Sequence, residues 1–217
     1  MIAFLTLERL RSPNAVERAA TAVALAHTPR LPRGALGILE TIARHDPDER
    51  ARAAAAATLV VRASGSTSTR ALRRAALDPS PAVRRRAAEL AAPHAGEHGR
   101  TLLLLLLDSE TFVAEAAAFA LGEGAPDFSV ITALVKAAES HDDPLVREAA
   151  VAALGSLGDP RGLPAILHGC QDRPAIRRRA VLALAAFEGE EVEVAIERAS
   201  RDRDWQVRQA AEDFTTR

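Results

Sequence analysis

Apolar residues recur along the chain with the spacing of one face of an α-helix. Within a recurrence they occupy a first position, here called the anchor, and the positions four and eight residues later, as Val146, Ala150 and Leu154 do. The anchors recur every 30 to 35 residues. They are Val16, Ala51, Val83, Val113, Val146, Ile176 and Val207. Alanine stands four residues after every anchor, so the pattern predicts repeated copies of one structural unit.

Turn-forming residues precede each anchor, and a second amphipathic segment lies upstream of each turn. Aspartate followed by proline, as at Asp46-Pro47, is typical of a helix start, because the carboxylate caps free amide groups and proline is tolerated in the first turn. Gly122 and Gly155 are interpreted as helix ends or links. The upstream segments are 2–11, 34–44, 67–77, 98–107, 128–140, 161–170 and 190–200. The pattern therefore predicts two helices per repeat.

The repeats are predicted to cover the whole chain as a single domain, residues 1–217. Because one helix pair cannot bury its apolar face alone, about seven helix–turn–helix repeats are expected to stack into an all-α solenoid. The alanine four residues after each anchor would let helices of neighbouring repeats approach closely. The predicted repeats are approximately 1–29, 30–63, 64–94, 95–124, 125–158, 159–188 and 189–217.

Segment 146–166 combines the anchor, an arginine after it, the alanine and a Gly-Asp-Pro turn in the sequence VREAAVAALGSLGDPRGLPAI. This segment resembles the HEAT repeat, in the short form found in phycobilisome-lyase-like proteins. Repeats three, six and seven match less fully, and repeats one and two depart most. The resemblance implies a right-handed α-solenoid of the HEAT and armadillo type, with the second helix of each repeat on the concave side. It also implies a scaffold or adaptor.

Composition agrees with a helical protein and shows an uneven charge distribution. The chain has 48 alanines, no tyrosine and one tryptophan, whereas β-sheet proteins favour aromatic and β-branched residues. Residues 1–107 contain 16 basic and 9 acidic side chains, and residues 108–217 contain 12 basic and 20 acidic side chains. The first half is therefore basic and the second acidic, although the net charge of the chain is only −1. The basic half would suit an acidic partner. Glu188–Glu197, which contains five glutamates, would suit a basic partner. Head-to-tail self-association is a further expectation.

The single cysteine and the absence of long apolar runs exclude several classes of protein. Cys170 alone provides neither an intrachain disulfide nor a cysteine-based zinc site. Leu102–Leu107 is about a third of a membrane span. The N-terminal ten residues lack the basic region and the cleavage site of a signal peptide. The sequence predicts a cytoplasmic protein without membrane contact or cofactor.

Charged residues near the start of each second helix are the candidates for partner binding. Arginine directly follows five anchors and is interpreted as a structural group that binds aspartate or carbonyl groups of neighbouring turns, with an anion-binding ladder as the alternative. Positions two residues after the anchors should be exposed, and their charge changes sign along the repeats. Phe119 either anchors a partner or, as preferred, packs beside a neighbouring helix. The candidate residues are Arg18, Arg85, Glu115, Phe119, Glu148 and Arg178.

No catalytic constellation appears in the sequence. His94 and His98 are the only close histidine pair, and they lie in a predicted non-helical link, residues 93–99, so a metal site is not expected. Deoxyhypusine hydroxylase, an iron enzyme of similar repeats, carries His-Glu pairs in its second helices, where this chain has no histidine. The prediction is a non-enzymatic protein–protein scaffold. The alternatives are a bilin-lyase-type enzyme subunit and nucleic-acid binding through the basic N-terminal half, although residues 50–100 contain no aromatic side chain for base stacking.

Overall fold

The structure, a computed structural model, describes residues 2–215, and this range consists of helices and the links between them, without a β-strand. Fourteen α-helices occur in this range, with 3-10 helices at Ala92–His94, Pro160–Gly162 and Leu184–Ala186. The α-helices are α1 (Ile2–Leu10), α2 (Ala15–Ala26), α3 (Ala35–His45), α4 (Glu49–Arg62), α5 (Ser66–Ala75), α6 (Pro81–Ala91), α7 (Ala95–Leu105), α8 (Thr111–Gly122), α9 (Phe128–Ser140), α10 (Pro144–Leu157), α11 (Leu163–Gly169), α12 (Pro174–Ala183), α13 (Glu190–Ala199) and α14 (Trp205–Thr215). The prediction of an all-α fold of helix pairs is confirmed.

The chain divides into two compact units, and each is described by itself. Unit 1 contains α1 to α6 and ends at Ala91, and unit 2 begins at Ala92 and contains α7 to α14. Residues 1–91 carry 15 basic and 8 acidic side chains, a net charge of +7, and residues 92–217 carry 13 and 21, a net charge of −8. The opposite charges of the two halves of the sequence therefore coincide with the two units. The single domain and its repeat boundaries stay predictions.

Within each unit the even-numbered helices pack along one another. In unit 1, α4 lies against α2 and α6, and in unit 2, α8, α10, α12 and α14 pack in succession. The odd-numbered helices pack on adjacent even-numbered helices: α1, α3, α7, α9 and α13 mainly on the one that follows them, and α5 mainly on α4. We call the even-numbered helices, which pack on one another within each unit, the inner helices.

The buried faces of the inner helices follow the predicted stripe in six repeats. The anchors from Ala51 to Val207 are at most 1% exposed, and so are the alanines four residues after them. Val16 is the exception, because its side chain is 60% exposed. The predicted register of the first repeat is wrong by one residue, and Glu17 occupies the anchor position. The apolar character of Val16 and Ala20 misled the assignment.

Two glycines allow inner helices of unit 2 to approach closely. A Cβ atom on Gly122 would lie 2.8 Å from the Cα of Ala153, and a Cβ on Gly155 would lie 2.8 Å from the Cα of Ala183. Gly155 lies inside α10, so its interpretation as a helix end or link is wrong. No helix within residues 2–215 has the length and apolar character needed to cross a membrane.

Candidate functional site

An arginine in the first turn of several inner helices connects neighbouring repeats. Arg52 shows the pattern: its Nη1 donates to the carbonyl oxygens of Asp46 and Pro47 at 2.9 and 3.3 Å. Its Nε donates to Oδ2 of Asp78 and its Nη2 donates to Oδ1, both at 2.8 Å, and Asp78 lies in the turn before the next inner helix. Such two-point contacts between a guanidinium and a carboxylate are strong and directional. We call each of these pairs a rung. The other rungs are Arg18–Asp46, Arg147–Asp172 and Arg177–Asp202.

The rungs confirm the structural interpretation of the arginine that follows the anchor. They also change the place of Arg18, which was predicted to be exposed. The Nε of Arg18 lies 2.6 Å from Asp46 Oδ2, and only 12% of its side chain is exposed. With Glu17 as the anchor of the first repeat, Arg18 is the equivalent of Arg52. The position two residues after that anchor is held by Ala19 instead, which is partly buried.

The rungs lower the pKa of their carboxyl groups. The hydrogen bonds from Arg147 hold the pKa of Asp172 below its ordinary value, and those from Arg177 do the same for Asp202. The charged carboxylate is favoured because it accepts two charge-assisted hydrogen bonds. These groups therefore stay ionised at neutral pH and serve to connect repeats.

The junction between α8 and α10 lacks a rung. Ala114 stands at the arginine position of α8, and His141 stands at the aspartate position, six residues before Arg147. His141 Nδ1 accepts a hydrogen bond from the Asp143 amide at 3.1 Å, as Asp46 does from Asp48. Thr111 Oγ1 donates to Asp143 Oδ2 at 2.8 Å and links the two repeats in place of the rung.

Beside this junction, α8 exposes two large aromatic side chains. Phe112 is 60% exposed and Phe119 is 61% exposed. They lie seven residues apart, two helical turns, and therefore share one face of α8 with Glu115 between them. We call Phe112, Glu115 and Phe119 the aromatic ridge. The preferred interpretation of Phe119 as a packing residue is wrong, because most of its ring faces solvent.

Phe112 was missed by the sequence analysis, although a signal for it existed. It precedes the anchor Val113 by one residue, and Leu145 precedes Val146 in the same way and is 45% exposed. A large apolar residue at a position that should face solvent is the informative observation. Neither residue was singled out by the sequence analysis.

Charge on α8 is of one sign. Glu110, Glu115 and Glu123 lie in or directly beside the helix, and residues 110–123 contain no lysine, arginine or histidine. The face that carries the two phenylalanines is thus apolar with acidic neighbours.

The remaining candidate residues are divided between the units. In unit 2, Glu148 of α10 is paired with Arg179 of α12 at 3.6 Å, and Arg178 is exposed on α12. In unit 1, Arg85 pairs with Glu89 of its own helix at 3.1 Å. Of the predicted residues, Glu115 and Phe119 therefore lie together on one helix. Their partner-binding role, like that of the others, stays a prediction.

The family model for HEAT repeats matches residues 100–185, which include the aromatic ridge. This part of the chain is therefore similar to HEAT repeats. Among solved structures, YibA of E. coli is similar with a TM-score of 0.71 and 20% identity, over 99% of this chain and 81% of YibA. Importin beta is similar with a TM-score of 0.54 and 19% identity, over 99% of this chain and 33% of importin beta. At these identities the likeness shows the fold alone. No curated protein sequence matches the chain.

His98 and Cys170 are the histidine and the cysteine whose burial changes their pKa. No group of three or more metal-ligating side chains occurs within the described range. The predicted non-helical link at 93–99 is wrong, because α7 begins at Ala95 and places His98 in its buried face. Burial lowers the pKa of His98, and burial raises the pKa of the Cys170 thiol to about 11. A thiol with that pKa is protonated at neutral pH and is a poor nucleophile.

Proposed function

We propose that this protein is a non-enzymatic scaffold that binds another protein through the aromatic ridge. The observation that carries the proposal is the pair of phenylalanines, Phe112 and Phe119, both about 60% exposed on one face of an inner helix. Covering a phenylalanine side chain is worth about 1.5–3 kcal/mol. Binding energy at protein interfaces is concentrated in a few such large anchors.

Charge around the ridge favours a partner segment with apolar and basic residues. Glu110, Glu115 and Glu123 would attract lysine or arginine and repel phosphate groups. This sign disfavours nucleic acid at the ridge. It also disfavours a bilin, whose propionates need basic partners. An amphipathic helix with basic residues beside its apolar stripe fits both features of α8.

The test compares a double variant, Phe112→Ser with Phe119→Ser, with the wild-type protein in affinity capture from the native cell. The partner captured by the wild type is then purified and its dissociation constant measured by calorimetry. We expect the double variant to bind it at least about tenfold more weakly, because both anchors are lost. Val61→Ser is the matched control, since Val61 is equally exposed at 61% but lies on α4.

Two results would count against the proposal. One is a captured partner that binds the double variant as tightly as it binds the wild type. The other is a partner whose binding is weakened as much by the Val61→Ser control, since that would indicate nonspecific binding to exposed apolar side chains. Circular dichroism of each variant checks that the helices are retained.

A further inference from the structure

The first inner helix, α2, has an uncovered face suited to close helix packing. In α10 and α12 the residue seven positions after the anchor is an alanine, Ala153 or Ala183, which lies against a glycine of the preceding inner helix. With Glu17 as its anchor, α2 places Ala24 at the same position. Ala24 is exposed, as is Ala20 one turn earlier. The position of Ala24 is buried in α8, α10 and α12 but is open to solvent here.

A groove of about 780 Å³ lies over this face of α2. Its lining residues include Ala20, Ala24 and Leu25 as well as Arg30 and Arg33. Both arginines are exposed, and neither forms an ion pair within residues 2–215. The lining therefore combines apolar residues with exposed arginines, which suits a helix that carries acidic residues.

The last inner helix, α14, has a rung arginine without an aspartate. Arg208 Nη1 donates to the carbonyl oxygens of Asp202 and Arg203 at 2.8 and 3.2 Å, as the other rung arginines do in their own turns. Its Nε and Nη2 make no hydrogen bond or ion pair within the described part of the chain. The guanidinium is held in the rung orientation with two donors free. Glu212 and Asp213, further along α14, are exposed.

The turn before α2 offers the carboxylate that such an arginine needs. Ser12 lies six residues before Arg18, the place that Asp46 and Asp78 hold before Arg52 and Arg84. Ser12 Oγ donates to Glu17 Oε2 at 2.6 Å, so a glutamate carboxylate lies beside the vacant aspartate position. The other Glu17 oxygen is 3.7 Å from Arg9 Nε.

We infer that two copies of this chain associate head to tail, with α14 of one copy packed on α2 of the next. Arg208 then pairs with Glu17 across the junction, and Glu212 and Asp213 face Arg30 and Arg33. The opposite net charges of the units, +7 and −8, steer the two ends together. Such an interface joins different surfaces of the two copies, so it can extend to further copies.

The first experiment measures mass by sedimentation velocity between about 1 and 200 µM at low and high salt. The monomer is 23.0 kDa. We expect the weight-average mass to rise with concentration at low salt and to fall back toward the monomer at high salt, because the contacts are between charged groups. A monomer throughout the series at low salt would overturn the inference.

The second experiment exchanges the charges at the junction. Arg208→Glu opposes Glu17 and Glu17→Arg opposes Arg208, so each variant alone should associate at least about tenfold more weakly. A mixture of the two variants places the introduced glutamate of one copy against the introduced arginine of the other, and we expect association to return. Recovery in the mixture cannot arise from misfolded proteins. Arg73→Glu on α5, an exposed change of the same kind away from both ends, should associate as the wild type does.

If the mixture stays monomeric while the wild type associates, the Arg208–Glu17 contact is wrong. The outcome is separate from that of the proposed scaffold function. The double variant of Phe112 and Phe119 leaves both ends unchanged, so it should self-associate normally even when it no longer binds its partner.

Discussion

Two successive junctions in unit 2 are held together in different ways. Between α10 and α12, a rung joins Arg147 to Asp172, and Gly155 lets the two helices touch. Between α8 and α10, Gly122 provides the same close approach, but the rung is absent. The contacts between small residues are thus common to both junctions, and the ion pair is not. At these two junctions of unit 2, close packing is the shared means of stacking, and the rung is an addition to it.

The largest effect is expected from filling the glycine positions. A side chain at Gly155 would meet the Cβ of Ala183 at 2.6 Å and its Cα at 2.8 Å, so the helices must separate. We expect Gly155→Val to reduce the free energy of unfolding by about 3 kcal/mol. Urea unfolding followed by circular dichroism measures the change.

Gly122→Val should cost a similar amount if packing holds both junctions alike. Gly99→Val is the control, because a Cβ at Gly99 meets nothing within 4 Å. A clearly smaller effect at Gly155 than at Gly122 would show that the rung, where present, takes over from packing.

Breaking a rung should have the next largest effect. Arg147→Gln removes the partner of Asp172, and the two side chains are only 14% and 17% exposed. A partly buried carboxylate left without its cation should cost about 2 kcal/mol of unfolding free energy, below the range for fully buried pairs. The Arg161–Asp159 pair, at 2.7 Å but with Arg161 more exposed, is the matched control. If Arg161→Gln destabilises as much as Arg147→Gln, the rungs contribute no more to stability than an exposed ion pair does.

Installing a rung between α8 and α10 should give a smaller gain. Ala114→Arg alone is expected to destabilise, because Ala114 is fully buried and the guanidinium finds no carboxylate. Combined with His141→Asp, the loss should shrink by about 1 kcal/mol, measured as the coupling energy of a double-mutant cycle. A coupling energy near zero would mean that this junction cannot accept the geometry of its neighbour.

Lowering the pH should reduce the contribution of the rungs to the free energy of unfolding, and this effect should be smaller still. Because the pKa of Asp172 is lower in the folded protein than in the unfolded chain, its contribution to stability is complete above the ordinary aspartate pKa and is lost as the pH falls through the folded value. Arg147→Gln should therefore lose less stability than the wild type between about pH 5 and about pH 3. Thermal unfolding at three pH values tests this, and parallel losses would argue against the assignment.

The candidate site was partly predictable from single residues. Glu115 and Phe119 were selected from their positions in the repeat, and both lie on the ridge. Phe112 was overlooked because it stands one residue before its anchor, where the other repeats have mixed residue types. Whether Phe119 faces a neighbouring helix or solvent depends on the placement of α10, which the pattern within α8 does not contain.

The sequence alone determined the helices, the repeat and the buried stripe, because these follow from the spacing of apolar residues within one helix and from the turn formers that bound it. Tertiary structure decided which groups meet between repeats. Arg18 binds Asp46, 28 residues away, and this contact corrected the register of the first repeat. Only the packed structure showed that α8 and α10 touch without a rung. Such contacts depend on how helices are placed in space, and the periodicity of a single helix carries no information about that placement.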